Sequence, residues 1–300
     1  MKIVIAGGTG FIGAALVRRL AADGHECTLL IRDAQSPTLD DLPKGVRLAP
    51  YGDMPDSADA VLNLAGEPIA GRWNKAKMDR ILGSRIEITK MLVDWMANLP
   101  TRPKVFLSTS AVGYYGVRDG RPITEADGSD PRNTFLSKVC QEWEREANKA
   151  ATHGIRVVNM RIGHVLDPSG ATLKEMAAKF RRVPMIVPHA TSEYMPWIAL
   201  SDVVGILQFA LEHEAVSGPV NVVAPTPATW QEFYDGLGEL LHKRVVGRLP
   251  YWVLRLVVGR FAEALVDSQR VVPEKVIHEG YRFQHAELGE YLRGLRVLNP

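Results

Sequence analysis

Cysteine is scarce: the chain of 300 residues holds only Cys27 and Cys140. One falls in a strand-like stretch and the other in a helix-like one, without the spacing of a metal site. No metal centre is expected, and both read as reduced core thiols of a cytosolic protein. Neither sign of charge is in excess. The 36 basic and 34 acidic side chains leave +2, too balanced to call for a nucleic acid or an acidic membrane as partner. Long apolar runs are missing too, since no stretch reaches the ~20 residues needed to cross a bilayer. The nearest, Pro250 to Val266, is broken by Arg255, Gly259, Arg260 and Glu263. The apolar run at the N-terminus stops at Gly7, which argues against a signal peptide. Internal repeats and low-complexity tracts are absent. What remains is an ordinary soluble composition, 46% hydrophobic and 23% charged, ample for one large domain or two modest ones.

What is present is concentrated at the start. Lys2 to Ala6 is a short apolar run without a turn residue, then comes Gly7-Gly8-Thr9-Gly10-Phe11-Ile12-Gly13. From Phe11 to Ala22, Phe11, Ile12, Ala15, Leu16 and Leu20 recur near one face at helical spacing. Strand, glycine turn and helix in that order are the context a Gly-x-Gly-x-x-Gly match requires. Glycines remove side chains that would block a pyrophosphate, and the helix N-terminus offers unpaired N–H donors with partial positive charge. Two registers overlap: Gly8, Gly10 and Gly13 fit the general dinucleotide fingerprint, while Gly7, Gly10 and Gly13 fit the Gly-x-x-Gly-x-x-Gly spacing of short-chain dehydrogenases. The second strand, Cys27 to Ile31, ends on Arg32 and then Asp33. A carboxylate there selects NAD through the ribose 2′-hydroxyl, whereas a guanidinium accepts a 2′-phosphate. Arg32 favours NADP(H) as cofactor; Asp33 weighs the other way.

Further along, a turn-rich link containing Ser36-Pro37 and Leu42-Pro43 leads to a short strand, Val46 to Ala49. Ala60 to Gly66 reads as a strand ending in a turn, Trp73 to Asn98 as a long helix, and Lys104 to Ser110 as a buried strand ending in three hydroxyls. Phe135 to Ala151 is helical and Ile155 to Met160 is strand. This alternation predicts an α/β fold with a doubly wound parallel sheet, whose ligands bind at the carboxyl ends of the strands. Gly7 to Gly13, Arg32, Asn63 to Gly66, Ser108 to Ser110 and Arg161 to Val165 all fall at those ends. Past Gly163 the chain changes character. Short strands near Met185 to Val187 and Val220 to Val223 alternate with helices near Leu173 to Arg181, Asp202 to Glu212 and Trp230 to Leu241. Residues 1–165 are expected to form the nucleotide domain, with about 196–224 returning to it. Residues 166–300 are expected to form a smaller, partly interleaved lid for the substrate. Pro250 to Val266, carrying Trp252, Leu256 and Phe261, reads as a packed core helix.

These residues together resemble the extended short-chain dehydrogenase/reductases of Rossmann type, sugar-nucleotide epimerase-like. The closer likeness is to their atypical NADP-dependent epimerase/oxidoreductase branch with a C-terminal segment of unknown function. The resemblance spans nearly the whole chain. Beyond the glycine turn it rests on Asn63-Leu64-Ala65-Gly66-Glu67-Pro68-Ile69, Gly83-Ser84-Arg85, Ser110-Ala111-Val112-Gly113-Tyr114-Tyr115-Gly116 and Trp197-Ile198. It continues in Val272-Pro273 and Gly280-Tyr281-Arg282-Phe283. It implies that Gly7, Thr9, Gly10, Phe11, Ile12 and Gly13 wrap the pyrophosphate and that Arg32 holds the 2′-phosphate. Leu64, Ala65 and Gly66 would flank the adenosine and ribose, and Arg85 would face the cofactor. Ser108 would lie at the same strand ends and Val165 beside the nicotinamide, while Ser110 matches the catalytic hydroxyl. Arg161 matches the family without an assignable role.

The departure lies in the chemistry. A short-chain dehydrogenase exchanges a proton through a Tyr whose pKa is lowered by a Lys four residues on. No Tyr here is followed four residues later by Lys. Lys138 stands at the Lys position, and Thr134 replaces the Tyr. Lys138 is either a ribose ligand or a solvated helix lysine. Tyr114 or Tyr115 becomes the candidate proton donor, the alternative being aromatic packing, and Glu67 is either a general acid or a loop carboxylate. Ala199 stands where related proteins carry His, and Arg181-Arg182 read as a solvated basic pair. Two functions follow. One is an NADP(H)-dependent, epimerase-like oxidoreductase passing hydride to or from a small polar substrate. The other is a catalytically reduced NADP(H)-binding or sensing module acting through a protein partner. An oligomer is allowed by either.

Overall fold

The computed structural model describes residues 1–32, 42–188, 193–262 and 268–295. Asp33 and the Ser36-Pro37 portion of the link lie outside the described residues. Seven parallel strands form the main sheet: β1 (Lys2–Ala6), β2 (Glu26–Ile31), β3 (Arg47–Pro50), β4 (Ala60–Asn63), β5 (Val105–Ala111), β6 (Arg156–Ile162) and β11 (Gly218–Val222). Their order across the sheet is β11-β6-β5-β4-β1-β2-β3. The chain therefore builds outward from β1 to β3, then crosses back to place β4 on the other side of β1. That reversal leaves a crevice at the carboxyl ends of β1 and β4.

Alternation along β1 shows how the sequence fills both faces. Ile3 and Ile5 enter a core with Leu16, Val17 and Leu20 of α1 (Phe11–Ala22) and Val203, Ile206 and Leu207 of α5 (Leu200–Glu212). Val4 and Ala6 point the other way. They meet Leu92, Val93 and Met96 of α2 (Lys75–Asn98) and Ala147 of α3 (Phe135–Asn148). Both faces being covered by helices, the strands read as continuous apolar runs. Each such Leu or Ile, fully buried, contributes ~1.5–3 kcal/mol. Cys27 and Cys140 are buried free thiols in these layers.

A second core gathers residues from Leu166 onward. It includes β7 (His164–Leu166) paired with β10 (Trp197–Ala199), α4 (Ala171–Arg182), and α6 (Trp230–Leu240) with its Thr229/Glu232 capping box. It also takes in β8 (Met185–Pro188), paired with β13 (Val245–Leu249), and α9 (Leu288–Gly294). The two-residue strands β9 (Tyr194–Met195) and β12 (Ala228–Thr229) pair beside it. The C-terminal stretch is tied back across the fold. Asp202, fully buried at the start of α5, accepts hydrogen bonds from the Tyr281 hydroxyl (3.1 Å) and from the Gln284 and His285 amides (2.8 and 3.0 Å). A short helix α8 (Glu274–His278) lies between these ties and Val271, which bridges to Ile123.

The segment from Pro250 departs from the sequence expectation. Its helix α7 (Tyr251–Val258) stops at Gly259 and becomes a single 3-10 turn to Phe261; residues 263–267 lie outside the described part. It is not a packed core helix. Trp252 and Leu256, four residues apart on one face, are 66% and 70% exposed. Among the described side chains the other side is held by Leu254 and by Phe261, whose ring lies 5.7 Å from that of Trp73. Its apolar residues were spread around the whole helix, so composition alone did not reveal the open face. Among the described residues, no helix is long and apolar enough to cross a membrane.

Candidate functional site

The glycine turn is built by its own contacts. Gly7 sits at φ +77°, and a Cβ there would lie 2.6 Å from the backbone carbon of Leu64. A Cβ on Gly13 would meet the Gly7 carbonyl oxygen at 2.2 Å, and the Gly10 amide donates to that same oxygen. Gly8 is different: the atoms nearest its Cβ would belong to the side chain of Leu29. The fold therefore demands glycine at Gly7 and Gly13, and with Gly10 between them these keep the short-chain register. Gly10 precedes α1, whose first turn carries no side-chain cap. The N–H groups there remain available, and a Cβ on Gly10 would meet just one atom, the Gly7 oxygen at 3.3 Å. A backbone turn so bare beside a helix N-terminus fits a pyrophosphate.

A cleft of about 290 Å³ opens over this turn. It brings together Gly7, Thr9, Gly10, Arg32, Leu64, Ala65 and Gly66 from the sequence reading, with Tyr51, Glu67 and Ser84 added. The larger opening, about 1020 Å³ between α6 and β13, is lined by Asp235, Glu239, Arg244 and Arg248 and by none of the turn residues. Strand register explains the cleft's far end: Ile31 of β2 is paired with Pro50 of β3, so Arg32 and Tyr51 leave the sheet side by side. Arg32 has no hydrogen-bond or ion-pair partner among the described residues. The opposite wall is the turn after β4. Asn63, fully buried, accepts from the Ala65 amide and donates to Thr89. The Gly83-Ser84-Arg85 stretch then clamps the turn. Ser84 Oγ accepts from the Glu67 amide at 3.0 Å, and Arg85 Nη1 donates to the Glu67 carbonyl at 3.1 Å.

Several of the sequence-based site residues are engaged within the protein or lie outside the cleft lining. Arg85 is spent on that clamp and on the Ile81 carbonyl, with its guanidinium over the Trp143 ring at 4.9 Å and its pKa lowered by burial. Ser108 is fully buried in β5, away from the cleft lining. Phe11 leans on Gly170, Ile12 packs partly into the main core, and Val165 lies in β7 against the same core. Glu67 is a loop carboxylate. Its bonds from Lys77 and Arg80 hold its pKa down, the wrong direction for a general acid.

The catalytic candidates are mostly locked. Ser110, Arg161 and Asn221 are register partners across β5, β6 and β11, so their side chains stand in one row. Glu144 of α3 closes the row from above: Arg161 donates Nε and Nη2 to its two oxygens at 2.9 and 2.8 Å, and Ser110 Oγ donates to Oε1 at 2.7 Å. Arg161 Nη1 donates to the Tyr115 hydroxyl (2.8 Å), which donates in turn to Asn221 Oδ1 (2.7 Å). Burial pulls the Arg161 pKa down, but the bonds and charge of Glu144 outweigh it and the guanidinium stays charged. Burial also pushes the Tyr115 phenol up to about 12 against the pull of Arg161. The hydroxyls of Ser110 and Tyr115 are thus both engaged in a buried network. Lys138 stands apart from this row. The buried face of α3 runs through Ser137, Cys140, Glu144 and Ala147, and Lys138 falls between these positions and faces solvent. Cys140, on the buried face, lies beside Ser110 instead, its thiol pushed by burial to about 11. Tyr114 alone stays open. It is partly exposed, its hydroxyl has no partner among the described residues, and its ring is stacked 3.6 Å from the Arg161 guanidinium.

Glu144 and Tyr51 were missed by the sequence reading. Arg161 directly follows the strand-like run Ile155 to Met160 and lies inside β6, where a charge demands a counterion, and Glu144 one turn after Cys140 on an apolar helix face was the signal that went unused. Tyr51 carried no such mark.

A parallel sheet with this strand order, glycine turn and strand-end cleft defines a Rossmann-type fold of the short-chain kind. Sequence comparison agrees. The profile of the NAD dependent epimerase/dehydratase family matches residues 3–224, and a domain of unknown function (DUF1731) matches 249–295. The chain belongs to the NAD dependent epimerase/dehydratase family. Epimerase family protein SDR39U1 of Homo sapiens is 35% identical over 299 residues, covering 98% of this chain and 99% of its own. Epimerase family protein YfhF of Bacillus subtilis is 31% identical over 294 residues, 96% and 95% of the two. The crystal structure of human SDR39U1 (isoform 2) with NADPH superposes with a TM-score of 0.86 at 33% identity, covering 98% of each chain. A UDP-glucuronic acid 4-epimerase from Bacillus cereus shares the fold alone, with a TM-score of 0.77 at 16% identity over 98% and 97% of the two chains.

Proposed function

We propose that this chain is an NADP(H)-binding, epimerase-like oxidoreductase acting on a small polar substrate. The observation that carries the reading is Arg32, a guanidinium without a described partner at the end of β2, opening on the same cleft as Gly10. The human relative crystallised with NADPH supports it. The bare glycine turn and the uncapped start of α1 would hold the pyrophosphate, and Leu64 to Gly66 would line the nucleoside. When bound, the nicotinamide supplies or accepts a hydride. The chain's own part is proton exchange, for which Tyr114 is the available hydroxyl, carried on a ring stacked against Arg161. With Ser110 engaged by Glu144, no second hydroxyl from β5 joins it.

That same engagement favours a second reading, an NADP(H)-binding module with reduced chemistry that acts through a partner. Titration with NADPH and NADH tests what the two share. NADPH should bind more tightly, and Arg32→Asp should erase the difference; an unchanged preference in the variant removes the role of Arg32. NADPH oxidation with a panel of small carbonyl compounds then separates the enzyme from the module.

A further inference from the structure

At the outer end of the cleft, two adjacent parallel strands deliver two different donors to one place. The pairing of Ile31 with Pro50 sets Arg32 and Tyr51 as neighbours at the first positions past β2 and β3. Both line the cleft that contains Gly7 and Gly10. The Tyr51 ring is partly buried and packs with Met54, Ile88 and Trp95 against the core between the sheet and α2. Packing of that kind fixes the ring, while its hydroxyl has no hydrogen-bond partner among the described residues. A fixed phenol beside an unpaired guanidinium is a ready receptor for a group carrying negative charge and several acceptor oxygens.

We propose that Tyr51 is the second half of a phosphate-reading pair, its phenol donating a hydrogen bond to the ribose 2′-phosphate that Arg32 neutralises. The assignment rests on the NADP(H) reading above and adds a residue to it. Chemistry supports the division of labour. Arg32 supplies charge and a planar fork, while Tyr51 supplies a single directed donor that costs little ordering because its ring is already held. Burial raises the Tyr51 pKa and the charge of Arg32 pulls it the other way. The phenol is therefore a proton carrier at neutral pH and lies within electrostatic reach of the guanidinium. A 2′-hydroxyl in the same place offers no charge, so the pair discriminates between the two dinucleotides.

The test is the dissociation constant of NADPH, NADH, adenosine 2′,5′-bisphosphate and AMP for the wild type and Tyr51→Phe, read by calorimetry. The ring is retained in this variant, so its packing is kept. NADPH and the bisphosphate should each weaken by about tenfold, as expected for a hydrogen bond to a charged group, while NADH and AMP stay within about twofold. Unchanged NADPH binding in the variant, with tight binding by the wild type, overturns the role of Tyr51 and leaves the cofactor assignment standing. Equal weakening of all four ligands also overturns it, by making Tyr51 a packing wall. Wild-type protein that binds none of them overturns the cofactor reading itself.

Discussion

The guanidinium of Arg161 lies over the ring of Tyr114, its central carbon 3.6 Å from the ring centroid, while two of its nitrogens are held by Glu144. One buried cation thus fixes the strand row, α3 and Tyr114 together. Its pairing is a condition of the fold before it is a condition of any chemistry.

Removing one member of the pair should cost more than removing both. Arg161→Met alone leaves the Glu144 carboxylate buried without its partner, and Glu144→Leu strands the guanidinium. Each single change is expected to destabilise the protein by ~3–5 kcal/mol. The double variant should recover a large part of that loss, because no buried charge is left uncompensated. Urea unfolding of the three variants measures this directly. Strictly additive losses would mean the two side chains do not depend on each other.

The adjacent tyrosines should separate cleanly. Tyr115→Phe deletes an acceptor for Arg161 and a donor to Asn221, both buried, and should lower stability by ~1–3 kcal/mol. Tyr114→Phe keeps its ring on Arg161 and loses only an unpartnered hydroxyl, so stability should stay within ~0.5 kcal/mol. Its carbonyl-dependent NADPH oxidation should nevertheless fall ~10²–10⁴-fold, the range for losing a general acid or base. Full turnover in Tyr114→Phe would leave both tyrosines as packing and shift weight to the binding-module reading.

The nucleotide half was legible because its logic is local. Gly7, Gly10 and Gly13 follow β1 and open α1, and Arg32 follows β2, so each placement could be read within a few residues of its strand. The chemistry was less legible because it is tertiary. Ser110 looks like a free hydroxyl in sequence, and only its register with Arg161 and the approach of Glu144 from α3 reveal that it is engaged. Lys138 was assigned by spacing from Thr134, yet helical phase turns it outward and sets Cys140 inward. Tyr51 reached the cleft through strand pairing with β2, which no spacing along the chain encodes.

Two glycines of the same turn should respond differently to one added methyl. Gly7→Ala places a Cβ 2.6 Å from the Leu64 backbone at a positive φ, which should cost at least ~1–3 kcal/mol. Gly10 has ordinary extended geometry and a single close neighbour. Gly10→Ala should therefore fold nearly as well as the wild type but bind NADPH roughly tenfold or more weakly, because the backbone is kept from the pyrophosphate. Thermal unfolding and NADPH titration of the two variants check the contrast. Normal NADPH affinity in Gly10→Ala would move the pyrophosphate away from this turn.

His164 should make stability fall as the solution is acidified. It follows Gly163 at the end of β6, donates its amide to the Pro196 carbonyl at 2.7 Å, and sets its ring edge-on to Trp230, with centroids 5.1 Å apart. Burial among these groups pushes the imidazole down to about 4 from its usual 6.5. The folded value lies below the unfolded one, so above pH 6.5 the ring is neutral in both states and stability is fully present. As pH drops below that point the unfolded chain takes up a proton that the folded one refuses, and stability is lost progressively until the folded ring titrates near 4. The slope reaches at most ~1.4 kcal/mol per pH unit, and the ring's partial exposure reduces it. His164→Phe keeps an aromatic partner for Trp230 and removes the titration. Between pH 7 and 5, before most carboxylates protonate, its urea midpoint should fall less than that of the wild type. Parallel declines would assign the proton to another group.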